Sequence, residues 1–368
     1  MRILLLSAYD AVSHRQWREG LVRHLPDIQW TVLALPPRFF AWRSRGNPLT
    51  WAFGEGETLN RGYDLVLATS MTNLAGLKGI VPALAATPTV VYFHENQFAY
   101  PEQRERKEYQ NYKLTNLYTA LAAQRILFNS RYNMETLLDG ARELLSVMPD
   151  GVPPGIVEAI EKRSQVLPVP LEEEFYTCDS GKSEGPLKIL WNHRWEHDKA
   201  PARFFQALYE LMDRNIPFQV HVVGQQFRDR PPVFDEARRR LGDRVLTWGF
   251  VEDEEKYREI LLKSDVVVST ALHDFQGIAV LEAVAAGCVP LVPDRLAYRE
   301  LFPDEFRYQS LEEDAEGEVQ ILADRLEQMC ADPEAVRATP APDLTHLSWN
   351  VLAKEYRKIL EEVSGRVP

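Results

Sequence analysis

The chain has 368 residues, 45% of them hydrophobic and 26% charged, which is typical of a globular enzyme with two domains and excludes wholesale disorder. Its 42 basic and 54 acidic residues give a net charge of −12, which argues against a general coat for nucleic acid or anionic membranes. No apolar run approaches the ~20 residues of a membrane span. Three widely spaced cysteines exclude a disulfide framework and predict a reducing cytoplasm.

The first half alternates short β-rich runs with amphipathic stretches. Strands are predicted at residues 2–7, 30–35, 64–69, 89–94, 125–129 and 165–169, and helices at 13–24, 73–85, 108–123 and 132–146. The second half repeats the pattern, with strands at 188–192, 218–223, 245–247, 265–270 and 289–292 and helices at 202–215 and 349–363. This alternation predicts parallel, doubly wound sheets.

A polar, glycine-bearing segment at residues 172–186 divides the two halves and is predicted to be a hinge. We therefore expect an N-terminal Rossmann-like domain at 1–171, rejoined by a C-terminal helix at 345–368, and a second Rossmann-like domain at 187–344. The predicted fold class is α/β, with two doubly wound lobes facing each other across a ligand-binding cleft.

Two carboxylates eight residues apart, Asp274 and Glu282, flank Gly277 in the segment 273–291. The segment follows a predicted strand, turns at Gly277 and is expected to continue as a helix, whose free N–H groups suit a diphosphate. As a helix, the spacing would separate the acids by about 12 Å, the reach from a donor sugar to a ribose. The alternative is that Asp274 caps the helix and Glu282 lies on the surface, but a buried acid without a role is costly, which favours function.

Two cations, Arg194 and Lys199, follow the predicted strand 188–192. An arginine fork and a lysine point charge could neutralise a diphosphate leaving group without a metal ion. His193 and His197 have the spacing of a metal-binding pair on a helix. Because they lie in a predicted loop and no third ligand is apparent, metal binding is the less favoured alternative.

Polar side chains also follow strands of the first half. We expect these strand tips to face the cleft, although a hydrogen-bonded turn explains the residues after strand 89–94 equally well. The candidates are His14, His94, Glu95, Asn96, Asn129 and Ser130.

Basic and aromatic residues alternate at residues 38–45, which include Trp42, Arg43 and Arg45, and again between residues 104 and 113. Residues 38–131 hold 11 basic against 7 acidic residues. Aromatic stacking combined with cations is how proteins hold unpaired RNA. An ordinary amphipathic surface is the alternative, and the commoner case for either run alone. Residues 238–240, three arginines among acids, are interpreted as structural.

Together these motifs resemble the GT-B glycosyltransferases of the retaining family-4 type, through Arg194-x4-Lys199 and Asp274-x7-Glu282. The chain is more closely similar to the tRNA-queuosine α-mannosyltransferase family. The segments that carry this similarity are residues 42–45, 92–101, 128–130, 133–135, 193–199, 245–249 and 273–291.

The resemblance implies transfer of mannose from GDP-mannose to the cyclopentenediol of queuosine in the anticodon of tRNA-Asp, in the cytoplasm, without a metal or other cofactor. Arg194 and Lys199 would hold the diphosphate, Asp274 the sugar and Glu282 the ribose, with His94 near the acceptor. Further donor contacts would come from His193, Gly224, Phe250, Val251, Gly277 and Ile278. The acceptor would be held by His14, Glu95, Asn96, Asn129, Ser130, Trp42, Arg43 and Arg45.

Two alternatives remain at this point. One is a family-4 transferase with a lipid or small-molecule acceptor, and the other is a non-catalytic relic that binds tRNA or a sugar nucleotide. No residue stands out as a catalytic base, which suits a same-face mechanism in which the leaving phosphate takes the acceptor's proton.

Overall fold

The structure, a computed structural model, describes residues 1–100, 108–176, 184–227 and 230–365, and gives only the backbone of residues 108 and 109. The chain forms two compact units. Unit 1 comprises residues 1–170 and the C-terminal helix, and unit 2 comprises residues 171–348. Residues 177–183 of the predicted hinge lie outside the described residues, while Glu173–Tyr176 forms a single 3-10 turn of unit 2.

Unit 1 contains a sheet of six parallel strands. In spatial order these are β2 (Gln29–Ala34), β1 (Arg2–Ser7), β3 (Leu65–Thr69), β4 (Thr89–Phe93), β5 (Arg125–Phe128) and β6 (Ser164–Val166). The inner strands β3 and β4 are buried at every position, as a parallel sheet covered by helices on both faces requires.

The helices of unit 1 are α1 (Val12–His24), α2 (Phe40–Gly54), α3 (Gly56–Leu59), α4 (Leu74–Ile80), α5 (Pro82–Ala85), α6 (Glu108–Leu121), α7 (Arg131–Ser146), α8 (Ile156–Glu161) and α16 (Trp349–Ser364). The C-terminal helix α16 packs on α1. Trp17 Nε1 donates a 3.0 Å hydrogen bond to Tyr356 Oη, and the Trp349 ring lies where a side chain at Gly20 would stand.

Unit 2 contains a second sheet of six parallel strands. The spatial order is β12 (Arg307–Tyr308), β11 (Val289–Pro293), β10 (Val266–Val268), β7 (Leu187–Asn192), β8 (Phe218–Val223) and β9 (Val245–Gly249). Its helices are α9 (Pro201–Asp213), α10 (Val233–Leu241), α11 (Glu254–Lys263), α12 (Ile278–Ala285), α13 (Tyr298–Leu301), α14 (Ala315–Ala331) and α15 (Pro333–Ala338). The predicted pair of Rossmann-like lobes is confirmed.

Prolines account for two differences from the predicted elements. The strand predicted at 165–169 ends at Val166, because Pro168 and Pro170 cannot donate ladder hydrogen bonds. The helix predicted at 73–85 divides into α4 and α5 before Pro82, since proline disfavours helical backbone at the preceding residue. The sequence also missed α2, whose pattern is interrupted by Gly46 and Pro48, both poor helix residues.

Candidate functional site

The sheet of unit 2 reverses its strand order between β7 and β10. In a doubly wound sheet this switch point, at the carboxyl ends of the strands, is where ligands bind. The loops that follow the two strands are tied together there. The backbone N–H of Leu272 donates to the carbonyl of Asp198 at 2.8 Å, and Thr270 Oγ1 donates to the carbonyl of Lys199 at 2.8 Å. Lys199 is thereby held beside Asp274, and Arg194 precedes it in the same loop.

Lys199 is 5% exposed and lies between two carboxylates. Its Nζ is 3.2 Å from Asp274 Oδ2 and 3.3 Å from Asp198 Oδ2, and it also donates to the carbonyl of His273. A buried ammonium requires such partners. The result is a fixed cation whose partner Asp274 comes from a different loop.

Asp274 is ionised at neutral pH. Burial by itself raises the pKa of its carboxyl, but the charge of Lys199 and the 2.8 Å hydrogen bond from the Gly277 N–H outweigh it and lower the pKa to about 2. The hydrogen bond from the Gly277 N–H makes Asp274 a cap of the turn before α12, so the alternative that Asp274 is a helix cap describes part of its role. It leaves Oδ2 directed at Lys199.

The assumption that the eight-residue spacing is helical is wrong. Asp274 lies in a turn, and α12 begins only at Ile278, so the 12 Å separation does not apply. Gly277 precedes the helix with φ +73°, and an added Cβ would lie 2.9 Å from the Tyr298 ring. Glycine is needed at this position for both reasons.

Arg194 differs from Lys199 in exposure. Its side chain is 48% exposed, and its Nη1 is 2.9 Å from Glu196 Oε2. Burial is the main reason that the pKa of His193 falls to about 3. The charge of Lys199, and to a smaller extent that of Arg194, lowers this pKa further. The two charges therefore act on one neutral, buried imidazole, whose Nε2 has no hydrogen-bond partner among the described residues.

Gly224 follows β8 and touches the loop that follows β7. Its φ is +149°, and an added Cβ would lie 1.7 Å from the carbonyl oxygen of His193, so only glycine fits. Its N–H donates to the carbonyl of Gly249 at 3.2 Å. Phe250 and Val251 follow Gly249. Phe250 is exposed, and Val251 is partly buried against the core of unit 2. The tips of β7, β8 and β9 thus adjoin one another.

Glu282 lies on α12 and accepts a 2.6 Å hydrogen bond from Tyr257 Oη. Asn192, the last residue of β7, donates to the same tyrosine oxygen at 2.7 Å and to the carbonyl of Ala279 at 3.2 Å. Burial, with a further contribution from the charge of Glu174, raises the pKa of Glu282 to about 7, although the Tyr257 bond acts in the opposite direction. Sequence analysis missed Tyr257, because nothing in its local pattern links it to Glu282.

A buried ion pair supports the loop that leads to Asp274. The two terminal nitrogens of the Arg295 guanidinium, Nη1 and Nη2, bind Glu318 at 2.6 and 2.9 Å. The same side chain donates to the carbonyls of Thr270 and Ala271. Sequence analysis missed this pair as well, because its members come from different elements.

In unit 1, two histidine rings meet where β4 ends and α1 begins. His14 and His94 stack with centroids 4.2 Å apart and planes 18° apart, and His14 Nε2 is 3.8 Å from Glu95 Oε2. Burial, and then the nearby His14, hold the pKa of His94 well below its ordinary value. His94 is therefore neutral at physiological pH.

The predicted polar residues after β4 and β5 are bound to each other. Asn96 Nδ2 donates to Asn133 Oδ1 at 2.9 Å, and its Oδ1 accepts from the N–H groups of residues 98 and 99. Asn129 donates to the carbonyl of His94 at 2.9 Å, and Ser130 caps α7. These contacts favour the alternative of a hydrogen-bonded turn for Asn96, give Ser130 the role of a helix cap, and give Asn129 a role in placing His94.

The run at residues 38–45 extends from an exposed loop into α2. Trp42 and Arg45 are exposed and Arg43 is half-buried. Of the second run, Arg104, Arg106 and Lys107 lie outside the described residues, as does the side chain of Tyr109.

Within residues 1–100, 108–176, 184–227 and 230–365, no three His, Cys, Asp or Glu side chains are grouped as ligands of one metal ion, so His193 and His197 have no third partner of this kind there. Within the same ranges no helix is long and apolar enough to cross a membrane.

Comparisons with known proteins divide the chain at the same place as the two sheets. Residues 2–171 match the family model described as tRNA-queuosine alpha-mannosyltransferase N-terminal, and residues 173–339 match that of glycosyl transferases group 1. A Drosophila melanogaster protein named tRNA-queuosine alpha-mannosyltransferase is 34% identical over 315 residues, which cover 83% of each chain.

Solved structures share the fold at low identity. Anabaena Alr3699/HepE in complex with UDP has a TM-score of 0.70 at 16% identity, covering 98% of this chain and all of its own. Sucrose-phosphate synthase from Thermosynechococcus elongatus has a TM-score of 0.71 at 14% identity, with both chains fully covered. At these identities the likeness establishes the architecture alone.

Proposed function

The chain belongs to the tRNA-queuosine alpha-mannosyltransferase family and is a glycosyltransferase, and from this premise we propose that it moves mannose from GDP-mannose to the cyclopentenediol of queuosine in the anticodon of tRNA-Asp. The observation that carries the donor half of this proposal is the Lys199–Asp274 pair at the switch point of unit 2. Such a pair offers a fixed positive charge and a fixed hydrogen-bond acceptor side by side.

The diphosphate is assigned to the cations. Lys199 is already oriented by two carboxylates. Arg194, which is half exposed in the same loop, is able to turn its guanidinium from Glu196 to a phosphate. Helix α12 begins at Ile278, after Gly277, whose own N–H is bonded to Asp274, and the N-terminus of the helix adds partial positive charge. Preorganised donors of this kind stabilise negative charge as it develops on a leaving group.

The hydroxyl groups of the donor are assigned to the carboxylates. Asp274, ionised, accepts hydrogen bonds from hydroxyls of the transferred sugar. Glu282 accepts from the ribose hydroxyls in its ionised form, held in place by Tyr257. Gly224, His193, Phe250 and Val251, at the tips of β7 to β9, complete the donor side around the base.

In the proposed reaction the bond between the anomeric carbon and the phosphate oxygen breaks, and its electron pair stays on GDP. A queuosine hydroxyl oxygen forms the new bond on the same face, and its proton passes to the departing phosphate oxygen. No separate base is needed, and the side-chain cations take the part that a metal ion plays in other transferases. Retention of configuration and independence of metal are both part of the proposal.

The acceptor hydroxyl is assigned to the face of unit 1 formed by His14, His94 and Glu95, in which His94 is neutral. A neutral imidazole both donates and accepts, which suits an uncharged diol. We place the reaction in the cytoplasm, in keeping with Cys288 and Cys330, which are buried and form no disulfide within the part of the chain that the structure describes.

Purified protein incubated with a panel of GDP- and UDP-hexoses, and with tRNA containing or lacking queuosine, tests the proposal. Nucleoside mass spectrometry is expected to find one added hexose on queuosine with GDP-mannose, at an unchanged rate after treatment with EDTA. The proposal would be overturned if none of the hexose donors supported transfer, or if tRNA without queuosine were modified equally well. Loss of activity in EDTA, restored by a divalent ion, would overturn the metal-free mechanism.

A further inference from the structure

Helix α2 presents aromatic rings and arginines to solvent. Phe39 is 70% exposed and Trp42 is 53% exposed, and Arg38 and Arg45 are exposed beside them. The fifteen residues of α2 include no aspartate or glutamate. We call Arg38, Phe39, Trp42 and Arg45 the α2 platform.

The Trp42 indole lies face-on against the helix. Gly46 is one turn further along, and a Cβ built on it would lie 2.7, 2.8 and 2.8 Å from three atoms of the Trp42 ring system. Nearly equal distances to three ring atoms place that position over the ring face rather than at its edge. One face of the indole is therefore covered by the helix backbone, and glycine at position 46 makes this approach possible.

The arginines of the platform lie over rings of their own unit. The guanidinium of Arg38 lies 5.6 Å from the centroid of Phe39, and that of Arg45 lies 5.2 Å from the centroid of Tyr112. A cation within about 6 Å of a ring centroid is attracted to the ring face. The platform thus combines a fixed aromatic face with two cations.

The platform is fixed near the loop that carries His94. Buried Asn47 of α2 donates to the carbonyl of Met71, which follows β3, and accepts from the N–H of Asn73. Gln97, three residues after His94, donates to the sulfur of Met71 at 3.7 Å. One loop therefore links α2 to the proposed acceptor residues within unit 1.

We propose that the α2 platform binds an unpaired nucleotide of the acceptor RNA next to the modified one, with its base stacked on Trp42 and its phosphates held by Arg38 and Arg45. This inference rests on the proposed function, because it takes the acceptor to be an RNA loop. Stacking on a ring is tolerant of base identity, so the platform adds affinity for the loop without reading queuosine.

An anionic lipid surface is the competing occupant. Leu49 and Phe53 extend the exposed row of Trp42 along α2, and a helix that lies on a membrane uses its whole apolar row. The covered indole and Arg45 lie in the first half of α2 and Arg38 lies just before it, so the cations are confined to one end of the apolar row, which favours a nucleotide. Phe53, which is 83% exposed at the far end of α2, distinguishes the two occupants, because a lipid surface would contact it and a nucleotide on the α2 platform would not.

The test measures binding of a synthetic anticodon stem-loop without queuosine by fluorescence anisotropy, at two salt concentrations. Trp42→Ala is expected to weaken binding about tenfold, the usual worth of one stacked base. Trp42→Phe retains most of the affinity. Arg45→Ala weakens binding several-fold and lowers the salt slope by about one.

Gly46→Ala is the sharper variant, because it keeps every ring and charge but forces the indole off the helix, so it should weaken binding nearly as much as Trp42→Ala. Phe53→Ser is the matched control on the same helix, and it should bind the stem-loop like the wild type. Thermal unfolding of each variant checks that the fold is retained.

Wild-type affinity in Trp42→Ala and Gly46→Ala, while the wild type still mannosylates queuosine tRNA, would overturn the platform and leave the proposed function intact. Binding of anionic phosphatidylserine vesicles that Phe53→Ser abolishes would also overturn it, in favour of the lipid surface. Absence of transfer to queuosine tRNA by the wild type is instead a failure of the proposed function.

Discussion

The two units place different chemistry at their strand ends. In unit 2 a buried lysine lies between two carboxylates, and Asp274 is held ionised. In unit 1 the rings of His14 and His94 stack on each other, and the pKa of His94 is held low by burial and then by His14. The unit 2 site is built around fixed charges, whereas the unit 1 site contains a buried, neutral imidazole.

This difference follows the proposed substrates. A nucleotide sugar brings negative charge, which preorganised cations stabilise without reorganisation during the reaction. A diol is uncharged, so a neutral imidazole such as that of His94 can hold it by hydrogen bonds without the desolvation cost of an ion. Substitutions in unit 2 should therefore act on turnover through charge, and those in unit 1 through the geometry of a loop.

The largest effect is expected for Lys199→Ala. The substitution leaves Asp198 and Asp274 without their shared cation and removes a charge from the diphosphate. We expect turnover to fall by about 10³ and stability to fall by about 3 kcal/mol. Mannosyl transfer and urea unfolding measure the two effects. Lys263→Ala, which breaks an exposed pair with Glu259, is the control, and Lys199→Ala activity within tenfold of the wild type would contradict the charge argument.

Arg194→Ala should separate turnover from stability. Because the side chain is half exposed and its pair with Glu196 lies near the surface, we expect an unchanged melting temperature and a loss of turnover of about 10². Arg194→Lys should recover part of the activity, since an ammonium cannot form the two-pronged contact. The control is Arg239→Ala, an exposed arginine of α10, and near-normal turnover of Arg194→Ala would count against a role on the diphosphate.

Asn96→Ala tests the loop of unit 1. The substitution removes hydrogen bonds to two N–H groups and to Asn133 in a buried place, which should cost about 2 kcal/mol of stability. Chemical denaturation measures it, with the exposed Asn60→Ala as a control that should cost a few tenths of this. Full stability in Asn96→Ala would mean that the amide serves the acceptor rather than the turn.

Tyr257→Phe should give the smallest effect, a displaced pH profile. Because the pKa of Glu282 is raised to about 7 by burial and the charge of Glu174, the group is neutral below that pH and ionised above it. The carboxylate is the better acceptor for two ribose hydroxyls, so the KM for GDP-mannose should fall as the pH rises through about 7. Removing the Tyr257 hydrogen bond raises the pKa further and should move this change upward by about one pH unit.

The KM for GDP-mannose measured between about pH 5.5 and 8.5 checks this prediction. Glu282→Gln serves as the reference, because it has no titrating group at this position and should give a flat profile. A profile of Tyr257→Phe that coincides with the wild type would show that the ribose is held elsewhere.

Much of the fold could be predicted because its signals are local. Buried strands such as β3 and β4 are short apolar runs, and the turn residues between them are visible in the sequence. The same holds for Arg194, Lys199 and Asp274, each of which follows a recognisable strand. The α2 helix escaped prediction because Gly46 and Pro48 break its pattern, although Gly46 is what lets Trp42 lie on the helix.

Other features depended on contacts between distant parts of the chain. The partner of Lys199 is 75 residues away and that of Glu282 is 25 residues away. Asn96, which resembled an exposed strand tip, is bound to Asn133, 37 residues away. Whether a polar residue serves a ligand or a turn is decided by such contacts.

By itself the amino-acid sequence determined that two parallel αβ sheets form and that charged side chains follow the strands of unit 2, because strand burial and turn chemistry act over a few residues. The tertiary structure decided which charges pair, that Asp274 is ionised while His94 is neutral, and that one face of Trp42 is covered. Protonation and stacking depend on the distance to groups from other elements and on how far each group is removed from water, and only the folded chain sets both.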